Sequence, residues 1–599
     1  MSADDYELYE RDEPDLSGVE RDLYESISAE EPWALVEEFS ELVRESGSED
    51  ERRAAEYITE RLSALGVPHE RYDPELWLSH PREASLAVES PTSESFDGVK
   101  TVSFSGSGTV TAEVVQVDSP DTGDAGGILS ARLDDVDADV EGRIVLVEAD
   151  YLSREMIITL ESEGAAAIVG VQASPDEPHE GIATPVWGGV PHPDRQDRVP
   201  DVVVVNVSRT VGDRLFELAE EGGLEATVSA DAPRDWYECP LVVARIPGEA
   251  DPDDDDFVLL HGHYDSWHYG VTDNATGDAG LLELARVFDD HRDELKRDLW
   301  VAWWPAHSTG RYAGSTWFVD EFALELDDRC VAHVNMDSPG VKDATEFVEG
   351  VQWMPEANDL CQSAITDSCG KESTEHRVAR AGDYSFNNLG ITGMFMGSSA
   401  IPMELRRERG WHIIGGGGGH AEAWHLSTDT IDKADPDVLV RDARMYATVV
   451  ARLARAETLP LDHRHTVEVL DDHLSEYEAT AGDQFDLSPV RTELDALGEA
   501  VEAFYDAVED GSVPASEANE TIKRLSRGLV RLDHAERGRF EQDPATGRPP
   551  LTRLGPVADL PDLEGDDYRF QRTHLVRARN AVVHDLADLR ADVRATLEE

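Results

Sequence analysis

Four short apolar runs, closed by polar or glycine-containing segments, most limit what this chain can fold into. They are Leu259-Leu-His-Gly-His263, Leu299 to Trp304, Val331 to Met336 and Gly393 to Met396. Runs of this length bounded by turn signals predict buried strands. Helical patterns separate several of them, as at residues 280–288. Strands alternating with helices predict an α/β sheet, whose ligands sit where loops leave the strand ends.

Chemistry-bearing residues cluster at those ends. His263-Tyr-Asp265 closes the first run, and Asp337 follows the third in Asn335-Met-Asp337. Asp273-Asn274 lies in a glycine-flanked turn, and His425 precedes Leu-Ser-Thr-Asp429-Thr430. Singly, each has an ordinary structural reading; Asp273, for instance, reads as a helix N-cap. Together, two His and two Asp suit two divalent ions, most readily zinc, sharing one carboxylate. Such ions, about 3.5–4 Å apart, activate a water and polarise a carbonyl.

The remaining pattern divides the chain. Residues 20–85 contribute helices; Ser48 with Glu51 reads as a capping box ahead of Ala55, Ile58, Leu62 and Leu65, with Gly66 as the stop. Residues 86–235 read as a separate β-rich module with two helices. Its β-runs are Val110 to Val117, Arg143 to Val147, Ala165 to Val171 and Asp201 to Val207. Residues 236–460 carry the strand–helix alternation and the His/Asp positions. Residues 461–599 are helical, with Leu494, Leu497, Val501, Phe504 and Val508 on one face, and predict a bundle packed on the α/β core or on a second subunit.

Asp and Glu number 126 against 52 Lys and Arg, a formal net charge of -74, and only six of the basic residues are Lys. Such a field excludes a nucleic-acid backbone or an anionic membrane as a general partner. The acidity is spread along the chain, which suits molar salt, where the Debye length is about 3 Å. The four cysteines form no C-x-x-C pair and read as buried free thiols. No apolar run approaches a membrane span, and the first residues lack the pattern of a secretory signal, so the expected location is cytoplasmic.

The order H-x-D, D-N before a helix, N-x-D and a late His before D-T resembles the co-catalytic di-zinc exopeptidases, which include aminopeptidases and glutamate carboxypeptidase. The resemblance implies a mixed-sheet zinc-exopeptidase domain that hydrolyses amide bonds of peptides or small amides. Carried over by position, it assigns His263 and Asp337 to one zinc, Asp273 as the bridge, His425 to the other zinc, and Asp265 as a supporting acid. Gly142-Arg-Ile-Val-Leu-Val147 and Glu163-Gly-Ala-Ala-Ala-Ile168 place residues 86–235 as the inserted protease-associated domain of one branch. The C-terminal helices then take the place of that branch's dimerisation domain, which implies a homodimer.

One departure matters. The family's Glu-Glu pair, general base then zinc ligand, falls in Trp304-Pro-Ala-His-Ser-Thr-Gly310, where this chain has His307-Ser308. His307 is therefore expected to replace the second Glu, a ligand of the zinc that His425 serves, with a general-base role as the other option. Glu422 is a second candidate for proton handling. The competing reading is a non-catalytic dimeric homologue that binds or scaffolds; a third is a single-zinc amidohydrolase or cyclase. Arg377, Arg380, Arg406, Arg407 and Arg409 form a dense group suited to a substrate carboxylate or to neutralising acidic neighbours. The glycines at 415–419 read as a mobile loop near His425.

Overall fold

The computed structural model describes residues 14–118, 133, 136, 138–149, 151–193, 198–248, 256–348, 351–395, 399–411 and 419–598. Glycines 415–418, read above as a mobile loop, lie outside the described residues.

A seven-stranded mixed sheet forms the core. Its centre is Phe257–His263, parallel to Asp298–Trp304 on one side and to Cys330–Asn335 on the other. Thr392–Phe395 continues the parallel set, and Leu241–Ile246 and His69–Tyr72 close the other edge antiparallel. Every residue of Phe257–His263 is buried, as expected of a central strand covered on both faces. In register, His263 pairs with Trp304 and His261 with Asn335. The segments carrying His263, His307 and Asp337 therefore leave the sheet at one edge, the C-terminal ends of its parallel strands.

Helices Glu30–Phe39, Glu49–Leu65 and Thr276–Asp290 cover one face within a single apolar cluster. The Ser48 side chain accepts from the Glu51 backbone N–H at 3.0 Å. Gly66 ends that helix in the left-handed conformation at φ 81°, where a Cβ would be strained.

The chain departs from this core through Glu75–Ser79 and returns through Arg234–Glu238, which pair antiparallel. Between them lies an eight-stranded sheet that includes Glu83–Ser90, Gly108–Val117, Ile144–Glu148, Ala167–Val171, Val203–Val207 and Glu225–Asp231. It has its own cores.

The C-terminal helices His463–Ala481, Ser488–Glu509, Ala515–His534 and Gly565–Glu598 join the same apolar cluster as the seven-stranded sheet. Of the two packings open from sequence, docking on this chain's own core is the one seen. Arg527 is the main polar anchor. Its guanidinium donates to the carbonyls of Cys330 at 2.6 Å, Asp327 at 2.9 Å, Leu326 at 3.2 Å and Gly390 at 3.3 Å. All four cysteines are free thiols. Among the described residues, no helix is long and apolar enough to cross a membrane.

Candidate metal centre

His263 is fixed first. Its Nδ1 lies 3.0 Å from the Asp265 carbonyl, so the ring proton is held there and Nε2 faces outward. That Nε2 is 3.1 Å from Asp273 Oδ1 and 3.7 Å from Asp337 Oδ1. It is buried and makes no conventional hydrogen bond. Burial opposes charge on this imidazole, yet Asp265, Asp273 and Asp337 outweigh it and hold the pKa well above the ordinary value.

Asp273 reaches two ways. Its other oxygen is 3.3 Å from His425 Nε2. Burial would raise its pKa, but the two histidines prevail and keep it below the ordinary carboxylate range. The turn that carries Asp273 is tied on both sides. Asn274 Nδ2 donates to the carbonyls of His263 and Met336, at 3.1 and 3.2 Å. Asp429 accepts from the Thr272 hydroxyl at 2.7 Å and from the Asp273 backbone N–H at 3.1 Å. Burial lifts Asp429 to about 7 against those hydrogen bonds.

His425 is placed by the eight-stranded-sheet segment. Its Nδ1 lies 3.2 Å from the Glu180 carbonyl, which turns Nε2 to Asp273. Trp424 stacks on the ring at 3.7 Å and Trp267 meets it edge-on at 4.4 Å.

His307 stacks on His263, with ring centroids 3.8 Å apart. The Asp265 carboxylate fixes the turn below it, accepting from the backbone N–H groups of His307 and Ser308, both at 3.0 Å. Asp383 Oδ2 is 2.8 Å from His307 Nδ1. Donor atoms of His263, His307 and Asp337 all lie within 4.8 Å of one another.

The expected set His263, Asp265, Asp273, His307, Asp337 and His425 is thus brought together. Glu422 is not. It is about half exposed and pairs with Lys433 at 2.6 Å. The grouped arginines also miss the site. Arg377 pairs with Asp533, and Arg380 donates to the Asp543 carbonyl. Arg406 donates to the Ile401 carbonyl, and Arg409 lies over Trp411. Arg407 does not line the cavity either.

The sequence places Asp383 in a segment, Arg380 to Phe386, that resembles one near the family's substrate but gives it no contact with His307, and it gives no role to the Glu180 carbonyl or to Arg311. A cavity of about 110 Å³ opens on Asp273, His307, Asp337 and His425, and Arg311 and Arg154 line its wall. No glutamate is among the described residues that line it.

Residues 242–450 match the Peptidase family M28 model. The aminopeptidase NAALADL1 of Mus musculus is 33% identical over 135 residues, 21% of this chain and 17% of that protein. A probable glutamate carboxypeptidase of Zea mays, VP8, is 24% identical over 325 residues, 50% of this chain and 41% of that one. The chain therefore spans less than half the length of either relative. BSAP, a zinc aminopeptidase from Bacillus subtilis, superposes with a TM-score of 0.52 at 17% identity, over 71% of this chain and 95% of its own.

Proposed function

Because residues 242–450 match the Peptidase family M28 model, we propose that the chain is a member of that family and a zinc-dependent exopeptidase-like hydrolase acting on amide bonds of peptides or related small amides. The observation that carries this reading is the His263 Nε2 atom, buried without a hydrogen-bond partner and flanked by Asp273 and Asp337. An imidazole that gives up its Nε2 proton to an arriving cation, with two carboxylates converging on the same point, is a donor set that fits a divalent ion.

In this account His307 joins His263 and Asp337 in holding one ion, because its donor atom lies within 4.8 Å of theirs, instead of joining His425 as expected from the sequence. Asp273 is shared between it and a second position served by His425. Ser308 stands where a carboxylate would complete that second position, so two protein donors remain there and the first ion is the firmly held one. Bound zinc supplies Lewis-acid polarisation of an amide carbonyl and lowers the pKa of a water.

The chain's own residues orient that chemistry. The carbonyls of Asp265 and Glu180 keep the Nδ1 protons of His263 and His425, and Asp383 keeps that of His307. All three Nε2 atoms are then free as donors. Asp265 also holds the turn that presents His307. The aromatic rings of Trp267, Trp424 and Tyr312 wall the cavity against bulk water.

Residues 86–235 act as the inserted protease-associated domain in this reading, and residues 461–599 as the dimerisation-like domain. The acid-rich surface suits a cytoplasm at molar salt. Elemental analysis of protein purified in molar KCl tests the metal assignment. At least one zinc per chain, lost in His263→Ala, is expected. No zinc after supply would favour a non-catalytic binding or scaffold protein, the reading that the absence of a lining glutamate supports.

A further inference from the structure

His425 sits in a backbone conformation that a histidine rarely adopts. Its φ is 57°, in the left-handed region where a Cβ crowds the following carbonyl. Such a residue persists only where its surroundings over-determine it. Here the surroundings are a loop of the eight-stranded-sheet segment, residues 177–180. The Glu180 backbone N–H donates to the His425 carbonyl at 3.1 Å, and the Glu180 carbonyl lies 3.2 Å from His425 Nδ1. Beside that pair, His179 Nδ1 meets the Trp424 carbonyl, and the Ser427 hydroxyl donates to Glu177 Oε2 at 2.7 Å.

One ammonium gathers this loop. Lys100 Nζ donates to Glu180 Oε1 at 2.7 Å and to Glu177 Oε1 at 2.8 Å. His268, in the segment that follows strand Phe257–His263, brings its Nε2 within 3.1 Å of the same Glu180 oxygen and 3.4 Å of Nζ. Lys100 itself stands on the sheet, paired with Asn206 of Val203–Val207. The sheet, the loop and the strand-end segment therefore meet at one nitrogen. Only six of the 52 basic residues are lysine. A compact ammonium with three rotatable donors suits acceptors that converge on a point, which a planar guanidinium does not. The pairing also withstands salt. At molar ionic strength charges are screened over about 3 Å, so the long-range field is lost while contacts of 2.7 and 2.8 Å keep most of their attraction. The Lys100 and Glu180 side chains are 21% and 13% exposed. Removing the ammonium would leave two like charges in a partly buried place, which drives the loop open.

We propose that Lys100 is a positioning residue for His425: by holding Glu177 and Glu180 it seats the loop on residues 424–427 and keeps His425 Nε2 turned to Asp273. The inference rests on the proposed function only for what His425 does once held, which is to serve the second metal position.

Hydrogen exchange of the full, metal-free chain in constant KCl tests the positioning by itself. Peptides that carry the Glu180 amide and residues 424–427 should exchange about 10-fold or more faster in Lys100→Met, the size expected for losing a charged hydrogen bond. Peptides of the central strand Phe257–His263 should not change. Lys100→Arg, which keeps the charge without the convergent geometry, should fall between. Zinc titration against a chromogenic chelator tests the consequence. Lys100→Met should weaken the second, looser zinc by about 10–100-fold, as loss of a ligand's supporting partner does, and leave the first within about 2-fold. In the His425→Ala background, Lys100→Met should change zinc binding by no more than about 2-fold, because its effect runs through that ring. A merely structural lysine would weaken both ions alike, with or without His425. Unchanged exchange or an unchanged second zinc in Lys100→Met overturns the inference, as does a zinc loss that persists in His425→Ala. Should Lys100→Met fail to fold, Glu180→Gln, which keeps the backbone carbonyl but removes the charge, takes its place in both measurements. If the unaltered chain binds a single zinc, the second metal position of the proposed function fails, and hydrogen exchange alone decides the inference.

Discussion

Asp383 Oδ2 lies 2.8 Å from His307 Nδ1, and the other Asp383 oxygen accepts from the Ser315 hydroxyl at 2.7 Å. The carboxylate thus fixes the imidazole by its far nitrogen and leaves Nε2 toward His263 and Asp337. It is a carboxylate–histidine pair at the position where the exopeptidase resemblance implied glutamate. Asp383→Asn should weaken zinc binding or activity by about 10–100-fold, the usual effect of removing such a partner. Zinc affinity by competition with a chromogenic chelator measures it.

The outward placement of Glu422 makes a direct contrast with the metal centre. His263→Ala and Asp337→Ala should each abolish chelator-sensitive hydrolysis and lower zinc content. Glu422→Gln should leave activity within about 2-fold and change stability by less than about 1 kcal/mol, since it breaks only a surface ion pair. Parallel assays and melting curves check both statements.

His463, buried where the C-terminal helices meet the core, hydrogen-bonds Ser526 at 2.9 Å. Burial holds its pKa down at about 4, against 6.5 for a free histidine. Between these values the unfolded chain binds the extra proton, so this contribution to stability is complete above pH 6.5 and is lost as pH falls toward 4. Below about 4 it is flat. His463→Gln should therefore show a smaller drop in melting temperature between pH 7 and pH 5 than the unaltered protein, measured at constant KCl.

Arg527 is the polar link between the helical segment and the sheet. Arg527→Met removes a donor from four carbonyls, of which that of Leu326 keeps the Cys330 backbone N–H, and should destabilise by about 2–4 kcal/mol, given about 1–3 kcal/mol for a buried group left unsatisfied. Denaturant midpoints read the change. Hydrogen exchange should locate it in Cys330–Asn335 and Ala515–His534.

The parallel strands were legible because apolar runs such as Phe257–His263 are buried on both faces and carry no competing pattern. His263, Asp273, Asp337 and His425 were legible as an ordered set, each at a strand end or glycine-flanked turn. Glu422 drew attention by lying near His425 in sequence, but its carboxylate pairs with Lys433. Lys100 was invisible for the opposite reason. It lies far from the His/Asp positions in sequence, and nothing there marks which carboxylates it gathers, whereas the conspicuous group around Arg377 and Arg406 is spent on carboxylates, carbonyls and an aromatic ring. The docking of the C-terminal helices was equally hidden, since an amphipathic face does not name the surface that covers it.

The most direct test of the metal-dependent hydrolase account is amide hydrolysis by one preparation in three states: as purified, after chelation and dialysis, and after zinc is restored. A panel of dipeptides and aminoacyl amides in molar KCl serves as substrate. The account predicts activity in the first state, loss in the second and recovery in the third, with His263→Ala inactive throughout. Hydrolysis that is indifferent to chelation and to His263→Ala, or zinc-loaded protein that cleaves none of the panel, would contradict it.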